Sequence, residues 1–215
     1  MLACAEITSI VRRGASTWLL SVEVSGGDKH ESVEFLLLDE LFLSLDVEVG
    51  EIDGDVLCEI DRCSEVTTAF MSACESFAYV PSSIRALYRK IVSKGYSRES
   101  SAEAIEIIRR RGFVDENAIA LRRAELMVAK LWGRSRILHK LREEGFPDSA
   151  LQRALVFLED VDFVQNCARV IEKKFHCLPD DRCEREKIYA SLSRLGYSLT
   201  DIKGAVKLLS ENKQK

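Results

Sequence analysis

The chain lacks the catalytic signatures that usually announce an enzyme. It has no glycine-rich phosphate loop, no GxGxxG turn, no HExxH pair and no serine nucleophile elbow. Its three histidines, His30, His139 and His176, are scattered, and His139 lies in a basic stretch that reads as helix surface rather than as a general base. The acidic runs Asp160-Val161-Asp162 and Asp180-Asp181 fall at helix junctions, where capping is the commoner task. No acid–base pair assembles, so neither catalysis nor a cofactor is expected. Long apolar runs are missing too. The longest, Phe35 to Leu38, is broken by Asp39-Glu40, far short of the roughly 18 residues a bilayer span requires. The opening residues have no basic flank and too short an apolar stretch for a secretory signal. The expected compartment is the cytosol, with no membrane contact.

Cysteine is present without forming a framework. Seven cysteines stand at positions 4, 58, 63, 74, 167, 177 and 183, an odd number at irregular spacing, so reduced thiols are the better reading. Cys74 and Cys167 sit among apolar neighbours and read as small core residues. His176-Cys177 with Cys183 falls short of the four ligands and paired spacing of a zinc site, which leaves loop or core thiols rather than a metal.

Charge is unevenly spread. Residues 1–80 hold four basic and sixteen acidic side chains, whereas 81–215 hold 27 basic and 19 acidic, within a net charge of −4. Such a split points to an acidic or nucleic-acid surface met by the basic part, or to an acidic part that maintains solubility.

What the sequence does have is a repeat. Gly95-Tyr96, Gly145-Phe146 and Gly196-Tyr197 recur at intervals of 50 and 51 residues. Eight positions before each glycine stand Leu87, Ile137 and Ile188; four before it, Ile91, Leu141 and Leu192. After it come Ala104-Ile105-Ile108, Ala154-Leu155-Leu158 and Ala205-Val206-Leu209. Self-similarity at a fixed period marks tandem units, none of which buries its apolar face alone. Before the repeats, residues 6–11, 18–24 and 32–37 alternate or are β-branched, with Gly26-Gly27-Asp28 as a turn signal, and predict a small antiparallel sheet. Residues 38–49 fit helix or strand, as do 56–60. From about Glu65 the period changes to three-and-four, as at Ala69, Ala73 and Phe77. Ser100 with Glu103, and Ser198 with Asp201, read as capping boxes, and Asp115 as an N-cap. The expected fold is mainly α: three tandem three-helix units forming an elongated curved array, preceded by the β region. The boundaries fall at 1–65, 66–114, 115–162 and 163–215.

Arrays of this kind bind. The candidate contacts are Arg109, Arg110, Arg111, Arg122, Arg123, Lys130, Trp132, Arg134, Arg136, Lys140 and Arg142, with Lys187 and Arg194 in the third unit. Arginine and lysine at this density suit phosphate backbones or acidic protein grooves. Glu116, Glu125, Glu143 and Glu144 interleave with them, so an ordinary solvated face fits the same residues. Trp132, amphipathic and beside arginines, fits an interface anchor or a core position.

The stretch Gly133-Arg134-Ser135-Arg136-Ile137-Leu138-His139-Lys140-Leu141-Arg142-Glu143-Glu144-Gly145-Phe146 resembles the RecX family, regulatory proteins of the RecA recombinase. Gly112-Phe113-Val114-Asp115-Glu116 is similar to the family's link after its first unit, and Leu192 to Tyr197 with Ile202 to its closing unit. The resemblance covers about residues 69–209. It implies a non-catalytic protein that binds in the groove of the RecA–DNA filament. There it would inhibit ATP hydrolysis, strand exchange and repressor cleavage in DNA repair and the SOS response. A monomer that contacts the RecA filament is expected, with single-stranded DNA a second candidate contact. The chain departs from the family where Arg-x-Arg-Ser is common: it reads Val80-Pro81-Ser82-Ser83, and Ala86 and Glu144 replace the usual glutamate and basic residue. The expected contact surface therefore shifts to the second and third units. A helix-turn-helix DNA-binding regulator is the alternative, with Arg136–Glu144 and the helix after Gly145 as its elements.

Overall fold

The computed structural model describes residues 4–26, 29–175 and 181–212. Strands β1 (Cys4–Arg12), β2 (Thr17–Gly26) and β3 (Lys29–Leu38) form an antiparallel meander, as the alternating runs predict. A fourth strand, β4 (Gly50–Ile52), pairs antiparallel with β1, giving the order β3-β2-β1-β4. With three residues, β4 is too short to show a period. The ambiguous stretch after β3 becomes helix α1 (Asp39–Leu45). Alternation puts Ala5, Ile7, Leu20, Val22, Phe35 and Leu37 on one face of the sheet, none more than 7% exposed.

Helix α2 (Gly54–Tyr79) covers that face, packing against β3 and β1. It begins well before Glu65, where the helical period first becomes obvious in the sequence, and residues 56–60 are helix rather than strand. The Asp53 carboxylate starts it by accepting the Val56 N–H at 2.8 Å. Ile60, Cys63, Val66, Ala69, Phe70 and Ala73 then line its buried side. The Leu38 N–H, at the end of β3, donates to Thr67 Oγ1 at 3.0 Å.

Helices α3 (Ile84–Ser93) and α4 (Arg98–Arg110) complete the first repeat. The cap of α4 lies one turn earlier than the Ser100–Glu103 pattern suggests. Ser97 accepts the Ser100 N–H at 3.1 Å. Glu65 of α2 meanwhile accepts from the Ser97 N–H at 2.8 Å, the Ser97 hydroxyl at 2.7 Å and the Ser100 hydroxyl at 2.5 Å. A carboxylate from another helix thus supplies the anion that an N-terminus favours, and Glu103 turns to Arg62 instead.

The second and third repeats follow as α5 (Glu116–Ala129), α6 (Arg134–Glu144), α7 (Asp148–Glu159), α8 (Phe163–Phe175), α9 (Arg182–Arg194) and α10 (Leu199–Asn212). Ten helices and four strands are present among the described residues. Asp115, Asp162 and Asp181 cap α5, α8 and α9. Ser198 and Asp201 form the expected reciprocal box, the Ser198 N–H reaching Asp201 at 2.9 Å and the Asp201 N–H reaching Ser198 at 3.1 Å. Asp180, His176 and Cys177 lie outside the described residues.

The chain divides into two compact units, Met1–Pro81 with Leu87–Phe113, and Ser82–Ala86 with Val114–Lys215. The sheet and most of the first helical repeat therefore belong to one unit. In the other, Ala120, Ala124, Ile137, Leu141, Phe146, Ala154, Leu158, Ile171, Leu192, Tyr197 and Ala205 join one core cluster drawn from both later repeats. The apolar frame around Gly145 and Gly196 belongs to that core. Cys167 is buried within it and Cys74 half-buried, in line with core thiols. Burial pushes the Cys167 thiol up to about 12 and the Cys63 thiol up to about 11, which makes both poor nucleophiles.

Candidate functional site

The repeated glycines do more than end helices. Gly145 and Gly196 have φ of +86° and +92°, a left-handed turn that suits a residue without Cβ. Each also receives the start of a middle helix. The Gly133 N–H donates to Leu195 O at 2.8 Å, and the Ser135 N–H and hydroxyl both donate to Gly196 O, at 3.2 and 2.9 Å. A Cβ on Gly196 would stand 2.5 Å from both the backbone nitrogen and the Cβ of Arg136; one on Gly133 would stand 2.1 Å from the Gly196 carbonyl carbon. One repeat earlier the plan returns. The Ser83 hydroxyl donates to Glu144 O at 2.5 Å, and a Cβ on Gly145 would meet the Arg85 side chain at 2.8 Å. The Ile84 N–H there donates to Glu116 Oε1 at 2.9 Å. The head of one middle helix is thus fastened to the tail of the next.

This fastening fixes the basic residues of α6. Arg134 turns inward, donating to Leu158 O at 3.0 Å with its guanidinium 5.4 Å from the centre of the Phe163 ring. Arg136 lies over Trp132, its guanidinium carbon 4.0 Å from the ring centre. Trp132 is half-buried against the core cluster, so it serves as packing and as a platform together. Lys140 and His139 both lean on Glu143, at 3.3 and 3.2 Å, and His139 is the surface residue expected, 72% exposed at its side chain. Arg142 is exposed and makes no ion pair among the described residues.

The other candidates separate in the same way. Arg110 and Arg111 share the Glu40 carboxylate of α1, at 3.0 and 2.8 Å, and Arg111 also stacks on Phe70 at 5.0 Å. Arg109 pairs with Glu106 at 2.8 Å and Arg122 with Glu125 at 3.0 Å, each on its own helix. Arg123 stands 4.0 Å from Glu144. Lys130 and Lys187 are exposed, and Arg194 donates to Ala190 O at 3.2 Å. Many of the thirteen candidates are tied to a neighbour within their own unit, as Arg110 and Arg111 are to Glu40 and Lys140 to Glu143. The spacing of Trp132 and Arg136 could have disclosed their stacking, but the Glu40 partnership joins residues some seventy positions apart and left no local signal.

A half-open cleft of about 340 Å³ lies at the Gly196 junction, lined by Arg134, Ser135, Leu138, Gly196, Ser198 and Asp201. Its cation is committed to Leu158 O and its carboxylate to the cap of α10, so its charged groups already have structural tasks. No group of three metal-ligating side chains occurs among the described residues, and none of the described helices is long and apolar enough to cross a membrane.

The fold and its fastened middle helices define a helical-repeat protein with an N-terminal antiparallel sheet. The chain is 30% identical over 126 residues to regulatory protein RecX of Pelodictyon phaeoclathratiforme (strain DSM 5477 / BU-1), covering 57% of this chain and 77% of that one. It therefore belongs to the RecX family of regulatory proteins. Regulatory protein RecX of Clostridium tetani (strain Massachusetts / E88) is 26% identical over 168 residues, 75% of this chain and 71% of the relative. Among solved structures, a crystal structure of regulatory protein RecX superposes with a TM-score of 0.71 at 17% identity, over 93% of this chain and 98% of the other. RecX from Lactobacillus salivarius gives 0.57 at 18% identity, over 68% and 97%. No protein-family model matches the chain.

Proposed function

We propose that this protein is a non-catalytic regulator that binds the RecA–DNA filament and inhibits the ATPase, strand exchange and coprotease activities of the recombinase, in the cytoplasm and as a monomer. The observation that carries this reading is the 30% identity to a regulatory protein RecX over most of that relative's length. The basic helices of the second and third repeats support it, because exposed Lys130, Arg142 and Lys187 remain available to an acidic partner. A helix-turn-helix reading gains little: α7, the helix that would enter a groove, carries Arg153 alone among basic residues, beside Asp148 and Glu159. The test adds the purified full chain, substoichiometrically, to the host recombinase on single-stranded DNA while ATP hydrolysis and filament length are followed. Both should fall. Unchanged hydrolysis and length at micromolar protein would exclude the reading, and a sequence-specific shift of duplex DNA without recombinase would replace it.

A further inference from the structure

Among the described residues four arginines lie over aromatic rings, and three of them spend their N–H groups on acceptors within the protein. Arg12, 5.6 Å from the Trp18 ring centre, donates to Asp39 and Ala15 O. Arg111, over Phe70, donates to Glu40, and Arg134, over Phe163, donates to Leu158 O. Arg136 differs. It has the shortest ring distance, 4.0 Å to the Trp132 centre, yet no hydrogen-bond acceptor and no ion pair hold its guanidinium among the described residues.

Everything else about Arg136 is fixed. Its backbone nitrogen and Cβ abut Gly196, and its neighbour Ser135 binds Gly196 O twice. Trp132 is itself held by the core cluster. The ring holds the guanidinium over its face, while the N–H groups are left without an acceptor among the described residues. An arginine ordered in this way loses less side-chain entropy on binding, and its planar fork matches a carboxylate in two parallel hydrogen bonds.

We infer that Arg136, seated over Trp132, is the anchor by which this chain grips a carboxylate side chain of its protein partner. The inference rests on the proposed function and names the contact within it. A protein carboxylate fits better than a phosphate backbone because most of the neighbouring cations are occupied, Lys130 and Arg142 being the exposed exceptions. Arg134 points into the core, and Lys140 and His139 lean on Glu143. A phosphate track needs several free cations in succession, whereas one fixed tryptophan–arginine pair has the composition of a protein–protein hot spot. The pair also belongs to the second repeat, not to the Val80-Pro81-Ser82-Ser83 segment.

The test measures equilibrium binding of the full-length chain to assembled recombinase filaments, with naked single-stranded DNA as a parallel arm. Arg136→Lys keeps the charge and the stem near Gly196 but loses the fork; Arg136→Ala loses both. Each should weaken filament binding by about tenfold or more, as loss of a hot-spot arginine does, while DNA binding and the thermal midpoint of Arg136→Lys stay at wild-type values. Lys140→Ala should change filament binding by less than about twofold, as expected for a surface ion pair. Wild-type filament binding by both arginine variants would overturn the inference and leave the proposed function standing. Equal losses on filament and naked DNA would also overturn it, in favour of a phosphate contact. Failure of the wild-type chain to bind filaments would remove both readings. Should Arg136→Ala fail to fold, Arg136→Lys decides between these outcomes.

Discussion

Glycine has two distinct tasks at the three repeated turns. Gly95, with φ of +103°, has nothing within 4 Å of where a methyl would stand, whereas Gly196, at +92°, would drive a methyl to 2.5 Å from the Arg136 backbone nitrogen. An alanine at Gly95 meets only the left-handed backbone penalty, about 1 kcal/mol. At Gly196 it adds a backbone collision, which brings the expected loss to about 3 kcal/mol. Denaturant unfolding of the two variants should show this order, and equal losses would mean that the junction yields easily. The aromatic beside the glycine adds to the same lock. Tyr197 is 4% exposed, and its hydroxyl donates to Leu131 O at 2.8 Å. Leu131 is a non-glycine residue at φ of +59°, so this bond secures a backbone conformation that leucine seldom adopts. Burial holds the Tyr197 phenol well above the usual tyrosine range and keeps it a donor.

At the scale of elements, Glu65 joins α2 to the start of α4. The Ser100 hydroxyl, and then the Ser97 N–H and hydroxyl, hold its carboxyl below the ordinary glutamate value. A carboxyl lowered by folding adds stability above its unfolded value and loses it as pH falls through the folded one. Glu65→Gln should therefore cost about 2 kcal/mol near neutral pH, the worth of hydrogen bonds to a charged group. The difference from wild type should narrow as pH falls below the ordinary glutamate value of about 4.3 and toward the lowered value of the folded carboxyl. A constant difference across that range, measured by urea unfolding, would show that the charge contributes nothing. Sequence alone places the cap at Ser100, because Ser100 and Glu103 have the right spacing. It misses Ser97 because the decisive acceptor, Glu65, comes from a helix more than thirty residues earlier. Where the partner is local, as in Ser198 with Asp201 or Asp115 with the Ala118 N–H, the cap is legible. The same rule separates α6 and α8, whose ends are marked by Gly145 and by Asp162 and Phe163, from α2, whose first turns lack the apolar period seen after Glu65.

For the whole molecule, charge separation makes a prediction that the net charge of −4 conceals. The basic excess after residue 80 should retain the protein on a cation exchanger at pH 7 and low salt, despite its overall negative charge. Elution should fall within a few hundred millimolar salt, since screening shortens the reach of such fields to about 10 Å at 0.1 M. Flow-through at low salt would mean that the acidic residues cancel that field. The basic surface is only partly legible in the sequence. Composition and spacing gather thirteen candidates, but only three-dimensional neighbours reveal that Arg110 and Arg111 serve Glu40 and that Arg136 is stacked with its donors uncommitted. The head-to-tail fastening of the middle helices has a genealogical consequence. Each junction needs a small or hydroxyl-bearing residue at one helix head and a glycine about sixty positions downstream, as in Ser83 with Gly145 and Gly133 with Gly196. A duplication of about fifty residues copies both halves of such a clasp in frame. Chains of this kind can therefore lengthen by whole modules, while a single glycine lost in a copy would leave two modules without their clasp.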